Sequence, residues 1–490
     1  MLKKFSGSKS NLKRSPFSFL DKLFGGKPTS ISRWLLREVD YALLHQFVSY
    51  PQTIAYYRYV DVHHAINRFA ESLGGRHLDA NYNYDLNCLL HPGDRHQAAC
   101  QIVGCSSQGF DVDIDEREFV PTSRFWAINN GEAPVVIRQR LNEHNLVASF
   151  SVASPDKEYA EDVLKQILED SRENSIYRGR LIEAGFEASV DPNYGHIRDQ
   201  GVDLKFVKGN HIGPEDIILD PKIHSILKRN VFDFHDRREL LQRIGVPNKK
   251  GLLFHGPPGT GKTFTCKYIY GQLEGVTCII VSGKTLTQIK PICDIARLLQ
   301  PSLVVLEDVD LVFKSREINL YSSVLGDLMD ELDGFQSDDA VTFLLTTNAI
   351  ERMEAAIKDR PGRISQCVFF GPPSADLRKR YLVRYLESFD VSELDLKPII
   401  EFTDGTTQAF LKELVFRAAQ VALEGEDELG SSFAELVQAK ENSGFESDSL
   451  KIRNQDFVEA YREMASGSHG SAAAIVGFGN TVASQSSTTV

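Results

Sequence analysis

Eight residues, GPPGTGKT at 256–263, restrict what this 490-residue chain can fold into more than any other stretch. They follow an apolar run, GLLFH, and lead into a segment of helical pattern. Glycines let backbone N–H groups turn toward a phosphate where a Cβ would obstruct. Lys262 brings a positive charge to the β/γ-phosphates, and Thr263 offers a hydroxyl to Mg²⁺. A helix beginning near Lys262 aims its partial positive charge at the same anion. Gly256, Pro257, Pro258, Gly259, Thr260, Gly261, Lys262 and Thr263 therefore form the expected phosphate cradle.

Such a loop needs a strand before it and a helix after it, and the surrounding residues supply more of the same. GLLFH, TCIIVS, LVVLED, VTFLLTTN and QCVFFG are continuous apolar runs separated by helical stretches. Continuous rather than alternating apolarity predicts a parallel sheet covered on both faces, linked by right-handed crossovers. We expect an α/β domain of this doubly wound kind over 207–371. After Pro373 only helical patterns remain, among them ADLRKRYLVRYLESF, TTQAFLKELVFRAAQVALEG and NQDFVEAYREMA, which predicts a helical domain over 372–465.

Upstream, RWLLREVDYALLHQFVSY and DVHHAINRFAESLGG have helical periodicity around Pro51, and short β-like runs follow from about residue 97. DKEYAEDVLKQILEDSRENS reads as one amphipathic helix with Asp156 near its start. IYRGRLIEAG and DLKFVKG read as closing strands, which makes 31–206 an α+β domain.

The third apolar run ends in Glu307, Asp308 and Asp310. Carboxylates gathered at a strand tip need a positive counterpart. In sheets of this kind the tip lies near the phosphate loop, at the carboxyl ends of the strands. The counterpart is then Mg²⁺ with Lys262 nearby. One carboxylate holds the metal's shell and the next orients or deprotonates the attacking water. Structural ion pairing is the alternative.

A formal net charge of −12 argues against general nucleic-acid binding. Seven scattered cysteines fit a reducing compartment, and a cytoplasmic protein is expected. No apolar run approaches the roughly 20 residues that span a bilayer. Residues 1–37 hold nine Lys/Arg against one Asp, 9 − 1 = +8. Within them Phe17, Leu20 and Phe24 fall at helical spacing. We expect a basic arm over 1–30, read as a disordered tail, a peripheral membrane or acidic-partner contact, or an organelle transit segment. The Gly/Ser/Ala-rich residues 466–490 read as a disordered tail.

GPPGTGKT, LVVLEDVD, LLTTN ending in Asn348, and RPGR at 360–363 come in an order and spacing that resembles AAA ATPases, over about 210–465. GPEDIIL, with Asp216 and Ile217, resembles the family's entry segment. TDGTTQAFLKEL, with Gly405, resembles the lid segment that closes over adenine and ribose. The resemblance implies ATP and Mg²⁺ as cofactors, with Thr263 and Glu307 toward the metal, and Asp308 and Asn348 toward the water. It also implies a homo-oligomeric ring, usually a hexamer, in which Arg360 and Arg363 reach a neighbour's γ-phosphate. A guanidinium supplied in trans neutralises charge on the transferring phosphoryl group, so hydrolysis depends on assembly. For the two arginines the alternative is surface charge near a turn.

Two departures from the family pattern stand out. The usual Asp-Glu order is reversed to Glu307-Asp308, a swap similar to that of the mitochondrial AAA protein that assembles respiratory complex III. The shorter second carboxylate stands about an ångström further from the water, so slow hydrolysis is expected. Further, no Phe, Tyr or Trp occurs between Tyr270 and Phe313, where protein-threading members carry an aromatic grip. Ile289 is a weaker substitute, or the ring acts on folded partners.

Cys88, His91, His96, Cys100 and Cys105 match no usual zinc spacing and read as buried cysteines and surface histidines rather than a metal site. No HExxH accompanies the ATPase motifs, which argues against a fused zinc protease. The sequence thus supports an ATP-hydrolysing ring that remodels protein clients selected by 31–206. The alternative is a nucleotide-gated scaffold with slow or no hydrolysis; membrane-surface remodelling through the basic arm is a third reading.

Overall fold

Wherever the apolar runs meet turn residues, the chain alternates strand and helix, and it gathers into two units. The computed structural model describes residues 30–39, 46–82, 85–90, 101–129, 133–142, 147–190, 197–209, 212–310, 321–352, 364–427 and 450–466. The basic arm through residue 29, the tail from residue 467, His91, His96, Cys100, Arg360 and Arg363 lie outside them.

The first unit holds β1 (Val48–Ile54), β2 (Arg76–Asp79), β3 (Ser107–Asp113), β4 (Glu116–Pro121), β5 (Ser123–Ile128), β6 (Val135–Asn142) and β7 (Val147–Ser154). Five of them form an antiparallel sheet in the order β1-β7-β6-β5-β2, and β3 and β4 pair separately. Alternate side chains of β5 serve two cores. Trp126 and Ile128 pack with the helices Tyr59–Ser72 and Lys157–Glu173, while Phe125 and Ala127 pack with Ile31–Glu38 and Leu86–Leu90. Asp156 caps the long helix as expected, accepting from Tyr159 N at 3.2 Å. The helical reading around Pro51 is corrected. The first helix ends at Glu38, and Val48–Ile54 is an edge strand, where a proline forfeits no ladder bond.

The second unit takes the start of β8 (Leu181–Val190) and then β10 (Lys250–His255), β11 (Thr277–Val281), β12 (Ser302–Leu306), β13 (Val341–Thr347) and β14 (Gln366–Phe369), while the rest of β8 and all of β9 (Ile197–Phe206) belong to the first unit. The strand order of the sheet is β14-β10-β13-β12-β11-β8-β9. The pairings among β10 to β14 are all parallel. Every residue of β12 is buried, as a strand covered on both faces requires. Each such Val or Leu contributes about 1.5–3 kcal/mol. Residues 181–184 of β8 extend this sheet by pairing parallel with 278–281, instead of closing the α+β domain as its sequence suggested. Local pattern identifies a strand but not its partner.

The helices Ala375–Tyr385, Leu396–Phe402, Gln408–Asp427 and Asn454–Ser466 pack around Leu382, Phe410, Leu414, Phe457 and their neighbours, as the helical patterns after Pro373 predict. Among the described residues no helix is long and apolar enough to cross a membrane.

Candidate active site

The phosphate loop leaves β10 at a glycine for a steric reason. Gly256 has φ +146°, and a Cβ there would stand 2.0 Å from the backbone oxygen of Phe370. Gly259, at φ +76°, lies against Ala409 and Thr407, so the lid helix rests on the loop. Ala409 N also donates to Gly259 O at 3.2 Å. The helix Lys262–Gln272 begins after Gly261 with no side-chain cap, which leaves its first N–H groups for a ligand.

Lys262 is buried, and its Nζ donates to the loop carbonyls Gly256 O (2.8 Å) and Pro257 O (2.9 Å). Burial pushes its pKa down, opposed by the charges of Asp308 and Asp310. Thr263 lies close enough to Glu307 to hold its pKa down against burial, which brings together the two residues assigned to the metal. Glu307 is raised above the usual carboxylate range, first by burial and then by the neighbouring Asp308 charge. Burial and like charge both favour a cation there, and a hydroxyl with a carboxylate is a hard-oxygen donor pair suited to Mg²⁺.

The acidic tip is not adjacent to the loop's strand. Between β10 and β12 runs β13, and its end supplies the residues that join them. Asn348 Nδ2 donates to Asp308 Oδ1 at 3.2 Å, and Asn348 N donates to Asp310 Oδ1 at 3.0 Å. Asp310 is buried and also accepts from Thr347 Oγ1 at 3.1 Å, so it braces Asn348.

These groups open onto a cleft of about 680 Å³. Of the expected residues, Pro258, Gly259, Gly261, Lys262, Thr263, Asp216, Ile217, Asp308 and Asn348 line it. Gly256, Pro257 and Thr260 belong to the loop's far side, with Thr260 Oγ1 donating to Pro257 O at 2.8 Å. Glu307 reaches the site through Thr263. Gly405, at φ +74°, makes the turn before the helix Gln408–Asp427.

The lid contributes residues that sequence reading missed, chiefly Tyr381, Arg384, Tyr385, Gln408 and Lys412. Their signal was helical spacing, since 381, 384 and 385 share one face. Arg384 donates to Glu215 O and Asp216 Oδ1, both at 2.7 Å, and the Tyr381 hydroxyl donates to Ile218 O at 2.6 Å. The entry segment is thereby tied to the lid. Ile289, the substitute grip, is buried and cannot hold a client.

Residues 252–372 match the model of the "ATPase family associated with various cellular activities (AAA)". A 26S proteasome regulatory subunit 8 homolog of Schizosaccharomyces pombe is 31% identical over 202 residues, covering 38% of this chain and 50% of that protein. A Cell division cycle protein 48 homolog of Archaeoglobus fulgidus is 27% identical over 239 residues, covering 46% of this chain and 32% of that protein. The chain thus spans only half the length of the first relative and about a third of the second. A crystal structure of the FIGL-1 AAA domain, 23% identical, covers 52% of this chain and 84% of that one at a TM-score of 0.41; the fold itself is read from the sheet order. The family match runs across β10, β12 and β13, the strands from which the loop, the acidic tip and Asn348 emerge, so residues 252–372 are similar to the ATPase domain of the AAA family.

Proposed function

We infer that this chain binds ATP in the cleft between the phosphate loop and the lid and hydrolyses it within a homo-oligomeric ring, not as a fixed scaffold but as a remodeller of protein clients engaged by 31–206.

 The observation that carries this reading is the convergence of Lys262, Thr263, Asp308 and Asn348 on one cleft, with Glu307 beside Thr263.

Each residue has a role that its position supports. Lys262 exchanges its two loop carbonyls for phosphate oxygens. Thr263 and Glu307 would hold Mg²⁺, and the chemistry that ion supplies when bound is neutralisation of charge on the phosphates. Asp308 accepts a proton from, or orients, the attacking water, and Asn348 fixes the carboxylate that does so. Arg360 and Arg363 would complete a neighbour's site. The buried Ile289 and the absence of an aromatic grip favour folded clients over threading of an unfolded chain.

Steady-state ATPase activity over a range of protein concentrations tests this for the unmodified chain, Asp308→Asn and Arg363→Ala, with ring formation of the arginine variant checked separately. Specific activity that rises with concentration, and stops in both variants, supports the shared-site ring. ATP binding with negligible turnover, even in assembled protein, would favour the nucleotide-gated scaffold instead.

A further inference from the structure

Asp308 has φ +47°, in the left-handed region that residues with a side chain seldom occupy. Among the described residues the other non-glycine case is Asp115, which lies in the turn between β3 and β4. Asp308 instead follows the end of β12, inside the cleft that carries the chemistry. Strain of this kind persists only where the surroundings hold it.

The holding groups lie at the end of β13. The Asp308 N–H donates to Thr346 Oγ1 at 2.9 Å, and Thr346 is fully buried. The Asp308 carboxylate accepts from Asn348 Nδ2 two residues further on. In an extended continuation of β12, consecutive side chains would point to opposite faces, so Glu307 and Asp308 would diverge. The left-handed residue breaks that alternation. Glu307 reaches Thr263 while Asp308 lines the same cleft.

We propose that Thr346 is a positioning residue for the reaction at Asp308: its hydroxyl oxygen holds the Asp308 N–H, keeps the left-handed turn, and so brings the second carboxylate of the reversed Glu-Asp pair to the water. This rests on the ATPase reading above. Thr346 is fully buried and does not line the cleft, so it acts through Asp308.

The test compares Thr346→Val, which keeps the shape and loses the acceptor, with Thr346→Ser, which keeps the acceptor. The Val variant is expected to lose about 10- to 100-fold in kcat, the scale of a misplacement near 1 Å. Its affinity for a fluorescent ATP analogue should stay within about threefold, which also certifies folding, and the Ser variant should retain most of the turnover. Adding Thr346→Val to Asp308→Asn should produce little further loss. Equal loss in Val and Ser variants, unchanged kcat in the Val variant, or losses that multiply in the double variant would each overturn the proposal.

Crystal structures of the two variants ask the same question without turnover. Asp308 should leave the left-handed region and the Asn348 amide in the Val variant and keep both in the Ser variant; an unmoved Asp308 in the Val variant overturns the proposal. Absence of turnover in the unmodified chain would sink the ATPase reading, and the crystallographic comparison would still decide the role of Thr346.

Discussion

Buried polar groups occur in both units, but they are satisfied in opposite ways. In the first unit, Asp61 accepts from the Ser175 hydroxyl at 2.7 Å and from Ile176 N at 2.8 Å. His63 Nδ1 lies 2.8 Å from Gln139 Oε1, and Gln139 in turn donates to Tyr59 O at 2.7 Å. Each partner belongs to the protein, and the network closes on itself. In the second unit Lys262 is bonded only to carbonyls of its own loop, and two carboxylates stand side by side. A closed network fixes a fold, whereas a like-charged cluster beside a cleft is stabilised further by an incoming ion. Polarity alone therefore does not mark a functional site; incomplete neutralisation facing an open volume does.

The comparison breaks most visibly at Lys262. Lys262→Ala should reduce affinity for a fluorescent ATP analogue by at least about a hundredfold, the scale of losing a charged phosphate contact in a partly buried site, while the first unit's unfolding is unchanged. The chain's two tryptophans, Trp34 and Trp126, both lie in the first unit, so their fluorescence follows that unit alone. If Lys262→Ala also shifted the tryptophan transition, the cleft would not be energetically separate.

The converse substitution is Asp61→Ala. It orphans the Ser175 hydroxyl and the Ile176 N–H, at about 1–3 kcal/mol per unsatisfied buried group. Denaturant unfolding followed by tryptophan fluorescence should show a loss of that order, with ATP-analogue affinity intact. A loss below about 0.5 kcal/mol would mean that the network contributes little.

A subtler effect comes from pH. Burial raises Asp61 from 3.8 to about 6, so the fold favours its protonated form; that contribution is present below pH 3.8 and is lost as pH rises toward 6. Burial lowers His63 from 6.5 to about 4, so the fold favours neutral imidazole; that contribution is present above pH 6.5 and is lost as pH falls toward 4. The two slopes oppose each other across the same window. Asp61→Asn should therefore leave a stability that rises with pH between about 4 and 6.5, and His63→Gln one that falls. Parallel pH profiles for the two variants would contradict this assignment.

The smallest expected effect is at the lid. Arg384 and Asp216 are each about a third exposed, at 35% and 38%, so the pair is screened. Arg384→Ala should weaken ATP-analogue binding only about two- to tenfold, through a loosened entry segment. Titration at two salt concentrations checks this, since a screened pair matters less at high salt.

How much of this was legible in the sequence depends on whether a feature is local. The phosphate loop, the apolar strands and the lid helices declare themselves within a few residues, because strand–loop–helix grammar and helical spacing are short-range. The reversed Glu307-Asp308 pair was also visible, but its accommodation was not. That depends on φ at Asp308 and on Thr346, almost forty residues away on another strand. Likewise Tyr381, Arg384 and Lys412 enter the cleft only once the lid is packed. The stretch 33–50 reads as helical from its spacing, and only pairing with β7 reveals that its end belongs to an edge strand, Val48–Ile54.

The short parallel pairing of 181–184 with 278–281 bears on how this protein can be cut. A fragment beginning at residue 207, where the strand–helix grammar starts, would uncover the backbone donors and acceptors of β11. An open strand edge of that kind invites other chains to pair with it, and the fragment should be prone to aggregate. A fragment beginning at Gly179 keeps that edge covered, but it must carry Phe186–Phe206 along, a stretch that belongs to the other unit. The second unit therefore has no clean starting point, and a proteolytic nick near residue 207 would damage it less than deletion to the same position.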